Sequence, residues 1–375
     1  MGKVRERKRE IVTQWRGGVE KSLTQTENLE LVMGEASFTG PHTISVALQE
    51  GGTRTLTSER IFVNTGTRNR VPSLDGLSEV EYLTNETAME LDVVPEHLVV
   101  LGGGYIALEF GQMFRRFGSS VTVLQARERL VQQEDADVSD EIAKIFREDG
   151  IRVMLGVEAR SVRRGGGGLE LVLGTGEVVL GSHLLVAVGR TPNTDALHLE
   201  RAGVAVDERG FVRANGRLET TAAGVYVVGD VKGGPAFTHI SYDDFRVHRT
   251  NLLEGGSRSI EGRMVPYTLF TDPELGRVGM TEAEARKAGK KIRVVKLPMS
   301  SVARAVESAE PRGFMKAVVD EETDLILGAA VLGGDGGEMM AQIQIAMMGG
   351  LTAAVLRDGI WAHPTRAEAL NNLFK

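Results

Sequence analysis

The chain has 375 residues, room for roughly two or three domains at ~100–200 residues each, and its balance of 25% charged and 42% hydrophobic residues suits a globular protein. A formal net charge of −7 speaks against nucleic acid as the main partner, because phosphate binding needs a basic surface. There is no cysteine, which excludes disulfides, thiolate metal sites and dithiol chemistry; with no signal-peptide pattern and no run of ~20 apolar residues, a cytoplasmic protein without membrane contact is expected.

Residues 4–24 read as a charged amphipathic helix, with the basic run of 3–9 interrupted by Glu6 as a solvated face. NLELVMGEA (28–36) follows, then a hairpin about Gly51 and Gly52, then the apolar strand IFVNTGT (61–67) ending on Gly66. HLVVLGG (97–103) has the unbroken apolar run of a buried parallel strand. Helical periodicity over 105–117 stops at Gly118, and SVTVLQ (120–125) is the next strand. A second helix (138–148) leads to IRVMLG (151–156). LELVL (169–173) and EVVL (177–180) flank Gly174-Thr175-Gly176 as a hairpin, and HLLVAVGR (183–190) is a strand running into Gly189. GVYVVGD (224–230) is a third apolar strand that ends in glycine. From about residue 263 the pattern becomes α+β, with strands in KIRVVKL (291–297), GFMKAVVD (313–320) and LILGAAVL (325–332) and a Met-rich helix over 338–348.

One order of elements occurs twice. NLELVMGEA parallels IRVMLGVEA (151–159), and IFVNTGT parallels HLLVAVG, which suggests duplicated domains. The strand–glycine-loop–helix–strand piece at 97–125 has no counterpart in the first copy, so the chain reads as starting partway through its first domain.

The piece at 97–125 carries the chemistry. Gly102, Gly104 and Ala107 form a G-x-G-x-x-A pattern between strand and helix. Gly102 permits the tight turn, Gly104 lets a pyrophosphate approach the backbone, and Ala107 keeps helix and sheet close; the helix N-terminus then offers free N–H groups to the phosphates. Asp or Glu at the end of the second strand would select NAD. Here the position holds Gln125, followed by Arg127 and Arg129, which suits a 2′-phosphate, so NADP is favoured over NAD.

Three strand ends, NTGT (64–67), AVGR (187–190) and VVGD (227–230), place glycine at the carboxyl edge of a parallel sheet, where ligands lie. Asp230 is suited to accept from sugar hydroxyls. His363 precedes Glu368 by five residues and could act as an acid–base oriented by a carboxylate; equally, Thr365 and Glu368 have the spacing of a capping box. Met339, Met340, Met347 and Met348 suit core or interface packing, and no metal site is expected.

GGGYIALEFG, AVGRTPNT, GVYVVGD, PYTLFTDPELGRVGMTEAEA (266–285) and HPT-x-x-E (363–368) together resemble the pyridine nucleotide–disulfide oxidoreductases, in order along essentially the whole chain, with mercuric reductase and dihydrolipoamide dehydrogenase as the nearest branches. The resemblance implies an α/β fold: doubly wound three-layer FAD- and NAD(P)-binding domains, the first incomplete, plus an α+β C-terminal dimerisation domain. Its ranges are 1–90 for the remnant of the FAD domain, 91–190 for the NAD(P) domain, 191–262 for a central FAD-contacting segment and 263–375 for dimerisation.

The resemblance further implies that Gly102, Gly104 and Ala107 hold the NAD(P) pyrophosphate, that Tyr105 covers the nicotinamide pocket and that Glu109 lies close to the flavin; Gly189, at its strand end, is a further cofactor-binding candidate. Thr65, Gly66, Asp230, Ala236, Phe237, Thr238 and His239 would contact FAD, and His363 with Glu368 would be the acid–base serving the partner's active site in a homodimer. The chain departs from the family in lacking the first glycine loop, the Cys-x4-Cys pair and the lysine that pairs with the residue matching Glu109. Two functions follow: an FAD-dependent NAD(P)H oxidoreductase that passes hydride to flavin and on to an unidentified small-molecule acceptor, or a truncated, non-catalytic chain that binds nucleotide and dimerises.

Overall fold

The computed structural model describes residues 1–375, which sort into two units: residues 1–70 with 190–263, and residues 71–189 with 264–375. No helix is long and apolar enough to cross a membrane.

In the first unit, α1 (Gly2–Gln25) forms from a proline-free run and buries none of its side chains. Within the segment 28–36, β-structure begins only at Gly34. Leu29, Leu31 and Met33 are exposed and meet no neighbouring strand, and an apolar run without a ladder partner does not become a strand. β1 (Gly34–Gly40), β2 (Thr43–Leu48) and β3 (Thr53–Thr57) form an antiparallel sheet, turning at Gly51 and Gly52 with φ +96° and +84°. β4 (Ile61–Val63) and β5 (Thr67–Asn69) follow.

Residues 71–90, grouped above with the first domain, lie in the second unit: Asp75 bridges Ser161, and Leu83 bridges Leu185. Within them α2 (Asn85–Ala88) starts in a capping box made by Thr84 and Thr87. Then come β6 (His97–Leu101), α3 (Tyr105–Arg116), β7 (Ser120–Gln125), α4 (Ala136–Glu148) and β8 (Arg152–Leu155). β9 (Ala159–Gly165), β10 (Gly168–Leu173) and β11 (Val178–Gly181) are an antiparallel meander, and β12 (His183–Val186) returns to the parallel sheet, whose order is β12-β6-β7-β8.

The unbroken apolar runs follow from burial on both faces of that sheet. Val99, Leu101, Leu124 and Leu184 pack on Leu169, Leu171 and Leu173 of the meander. On the other face, a methyl at Gly111 of α3 would lie 3.6–3.9 Å from Val100, Val121 and Val123, so glycine lets that helix sit close. Alternate residues thus serve opposite layers. Each fully buried Val or Leu contributes about 1.5–3 kcal/mol.

The chain re-enters the first unit at β13 (Arg190–Pro192), antiparallel to β5, and β14 (Val225–Val227), parallel to β4. α5 (Thr238–Leu253) follows. Phe38, Val63, Leu199, Val212, Val225 and Val227 are among the residues of that unit's core.

The rest completes the second unit: β15 (Tyr267–Leu269), β16 (Glu274–Gly279), α6 (Glu282–Lys287), β17 (Ile292–Pro298), α7 (Ala303–Glu307), β18 (Phe314–Asp320), β19 (Ile326–Gly333), α8 (Gly336–Met348), α9 (Ala353–Asp358) and α10 (Ala369–Leu373). The five strands order as β15-β16-β19-β18-β17, all antiparallel. Three of these strands were legible as apolar runs; β15 and β16 lie in 266–279, where prolines and charges interrupt the pattern. In α8, Met339 and Met340 enter the core beside Ile343, while Met348 is exposed.

Candidate functional site

β6 delivers the chain to a glycine loop, and α3 leaves from it. Gly102 has φ +117°, and a Cβ there would lie 2.2 Å from the Ala187 carbonyl oxygen, so only glycine fits. Gly104 is the N-cap of α3, no side chain caps it, and the position of its missing Cβ is open space. The first N–H groups of a twelve-residue helix are therefore left for an anion, reinforced by the helix dipole. Ala107 is fully buried against the sheet. These residues fit a dinucleotide pyrophosphate.

At the end of β7, Gln125 donates from Nε2 to the Arg129 carbonyl at 3.1 Å. Arg129 pairs with Asp140 at 3.7 Å; the Arg127 side chain is exposed and forms no ion pair, while its carbonyl accepts from Gly156. The strand end where a ribose diol would be met holds the uncharged Gln125, and the loop beyond it carries Arg127, Glu128 and Arg129. The loop that follows is tied to the glycine loop, with the Val131 N–H donating to the Gly103 carbonyl at 2.8 Å.

Tyr105 opens α3, and its ring centroid lies 6.2 Å from that of Tyr267. One turn on, Glu109 accepts from the Phe270 N–H at 2.9 Å. Burial pushes the Glu109 carboxyl above its ordinary range, and the Phe270 amide opposes part of that shift. Beneath Tyr267 lies a buried pair that sequence reasoning missed, Glu134 and Arg277, with side chains 1% and 4% exposed and 3.4 Å apart. The one trace in the sequence is an arginine set among glycine and valine in LGRVG (275–279).

In the first unit, two turns meet. Gly66 has φ +66° and accepts from the Asn193 N–H at 3.0 Å, while the Thr65 hydroxyl donates to the Asn193 carbonyl at 2.9 Å. Arg190 donates to the Thr67 hydroxyl at 2.5 Å and carbonyl at 2.7 Å, and that hydroxyl donates to Asp230 at 3.3 Å. The Asp230 turn rests on Asp244, which is fully buried, accepts from the Gly229 N–H at 2.9 Å, and is held by Lys232 at 2.8 Å and Arg263 at 2.7 Å. The sequence does not mark Asp244, because its partners are scattered over 35 positions of chain. Phe237 is the N-cap of α5, and its ring stacks on His239 at 5.3 Å. Ala236, Thr238 and His239 are exposed. Gly189, with φ +119°, ends the β12 segment on the other unit. An open helix N-terminus, a turn of positive-φ glycines and a carboxylate fit the sugar and ring portions of a flavin nucleotide.

His363 and Glu368 are brought together, with Nδ1 and Oε2 2.8 Å apart and the histidine side chain 72% exposed. The capping box is not formed. The Glu368 N–H does donate to the Thr365 hydroxyl at 3.3 Å, but the Glu368 carboxylate is engaged by His363, and α10 begins only at Ala369.

Comparison with known proteins agrees with this arrangement. The family model described as pyridine nucleotide-disulphide oxidoreductase matches residues 1–244, and its dimerisation domain matches residues 265–374. The probable pyridine nucleotide-disulfide oxidoreductase RclA of Escherichia coli is 39% identical over 371 residues, covering 98% of this chain and 84% of the relative. A mercuric reductase of Staphylococcus aureus is 35% identical, covering 99% of this chain and 67% of the relative. The solved structure of the HOCl-induced flavoprotein disulfide reductase RclA from Escherichia coli superposes with a TM-score of 0.93 at 39% identity, covering 99% of this chain and 84% of that one. With no cysteine, this chain has no redox disulfide of its own. The chain belongs to the pyridine nucleotide-disulphide oxidoreductase family.

Proposed function

We propose that this chain is an NADPH-using flavin oxidoreductase that delivers electrons to a small diffusible acceptor without a disulfide relay. The family is FAD-dependent and uses NAD(P)H. The observation that carries the reading for this chain is the glycine loop: Gly102 can be nothing else, and Gly104 faces open space at an uncapped helix start.

In this reading Gly102, Gly104 and Ala107 seat the pyrophosphate, and Gln125 with Arg127 receives the adenosine 2′-phosphate. Tyr105 covers the nicotinamide, with Gly189 beside it and Glu109 on the flavin side. Thr65, Gly66, Asp230, Ala236, Phe237, Thr238 and His239 hold FAD. Residues 263–375 join two copies into a homodimer, in which His363, oriented by Glu368, supplies or takes a proton. When bound, FAD accepts hydride from the reduced nicotinamide. The protein's own work is to orient both, with the buried Glu109 held by the Phe270 amide.

Calorimetric titration of the full-length protein with NADP+ and NAD+ tests the reading. NADP+ is expected to bind about tenfold or more tightly than NAD+, the effect of a charge-assisted contact to one phosphate. Equal affinities would remove the 2′-phosphate assignment, and binding of neither would remove the dinucleotide site. Binding without any hydride transfer to FAD would favour a non-catalytic, nucleotide-binding dimer.

A further inference from the structure

β15 and β16 place Tyr267 and Arg277 directly opposite one another in the ladder. Both reach Glu134, the penultimate residue of the loop between β7 and α4: the Tyr267 hydroxyl donates to one carboxylate oxygen, and Arg277 Nε stands 3.4 Å from the other. The pair is almost wholly buried, and Glu134 Oε2 and one terminal nitrogen of Arg277 have no hydrogen bond. Unsatisfied buried charge costs stability, so hydrophobic packing would hold this corner together more cheaply. What the charged pair adds is direction: the Glu134 oxygen fixes where the phenol of Tyr267 points.

That phenol ring is the wall for Tyr105. The two rings lie 6.2 Å apart and are tilted by 50°. Tyr105 is the first residue of α3, one position beyond the glycine that admits the pyrophosphate, so its ring borders the path of whatever is joined to those phosphates. The same loop that ends at Glu134 begins at the 2′-phosphate candidates and is pinned to the glycine loop through Val131. We propose that Tyr267, aimed by Glu134 and Arg277, is a positioning residue that sets the Tyr105 ring and thereby the affinity for the nicotinamide end of the dinucleotide. The inference rests on the reading of the glycine loop as a nicotinamide-dinucleotide site.

Two ligands separate the nicotinamide end from the remainder: NADP+, and 2′-phospho-ADP-ribose, which lacks the nicotinamide. Calorimetry on the full-length protein would compare both for wild type, Tyr267→Phe, Tyr267→Ala, Tyr105→Ala and the Tyr105→Ala/Tyr267→Ala double variant. Tyr267→Phe, which keeps the ring but frees it from Glu134, is expected to weaken NADP+ by about three- to tenfold and leave the fragment unchanged. Tyr267→Ala should weaken NADP+ further, and the double variant should bind it no worse than Tyr105→Ala alone, because the second residue acts through the first. Unchanged fragment affinity shows that each variant is folded, and Tyr267→Phe carries the test where the alanine variant does not fold. A merely structural role would weaken both ligands together, or add to the Tyr105→Ala loss, and either result overturns the proposal. So does an unchanged ratio in both Tyr267 variants. If the wild-type protein binds NAD+ but neither of these ligands, NAD+ and ADP-ribose take their places in the same comparison; if it binds none of the four, the dinucleotide reading falls, and the proposal falls with it.

Discussion

In the proposed reading, cofactor choice turns on Arg127. Its neighbour Arg129 is engaged by Asp140, whereas Arg127 forms no ion pair and stands exposed past a neutral strand end. A guanidinium contributes to phosphate binding through charge and a planar fork of donors, so its removal should be felt by one cofactor only. Arg127→Ala is expected to weaken NADP+ by about tenfold and to leave NAD+ unchanged in the same titration. A loss shared equally by both would move the phosphate contact elsewhere. The residues of the glycine loop were legible for a related reason: each acts within a few positions of the next, so their spacing is their geometry. Glu134 lies 133 residues from Tyr267, and Asp137 lies 179 from Lys316, and no spacing rule links such partners before the fold is known.

At the scale of elements, the parallel sheet carries a pH-dependent weakness at its N-terminal edge. His97 opens β6 and His183 opens the neighbouring β12, and both have pKa values lowered from 6.5 by burial, with Arg152 adding to the effect at His97. His97 is bonded to the Thr122 hydroxyl at 2.9 Å and His183 to that of Ser182 at 3.0 Å. The folded state therefore binds fewer protons than the unfolded one, and the stability this gives is complete above the ordinary histidine value and lost as pH falls below it through the lowered folded-state values. The urea midpoint should drop on going from about pH 8 to about pH 5, and by less in a His97→Gln/His183→Gln variant. Parallel drops in both proteins would assign the effect to other groups. The strands themselves were readable because burial on two faces makes them continuously apolar. β15 and β16 were hidden because their positions hold groups, Tyr267 and Arg277, that serve Glu134 rather than the core.

For the whole molecule, the family's dimerisation domain leaves Ile345, Met348, Val355 and Ile360 exposed in the second unit, an apolar surface suited to a second copy. His363 and Glu368 lie in the same domain, already joined at 2.8 Å. Sequence repetition made the α/β plan and the order of its parts legible. It did not show that residues 71–90 and 264–375 fold in one unit with residues 91–189, since that grouping depends on long-range packing. We propose that hydride passes from NADPH to flavin and that the chain itself holds no further electrons before a diffusible acceptor takes them, because it has no cysteine to form a redox disulfide. Anaerobic titration of the FAD-supplemented, full-length protein with NADPH, followed by flavin absorbance, measures this directly. The account predicts bleaching complete at one hydride equivalent per bound FAD, with no further uptake. No bleaching, or consumption of a second equivalent before free NADPH accumulates, would contradict it.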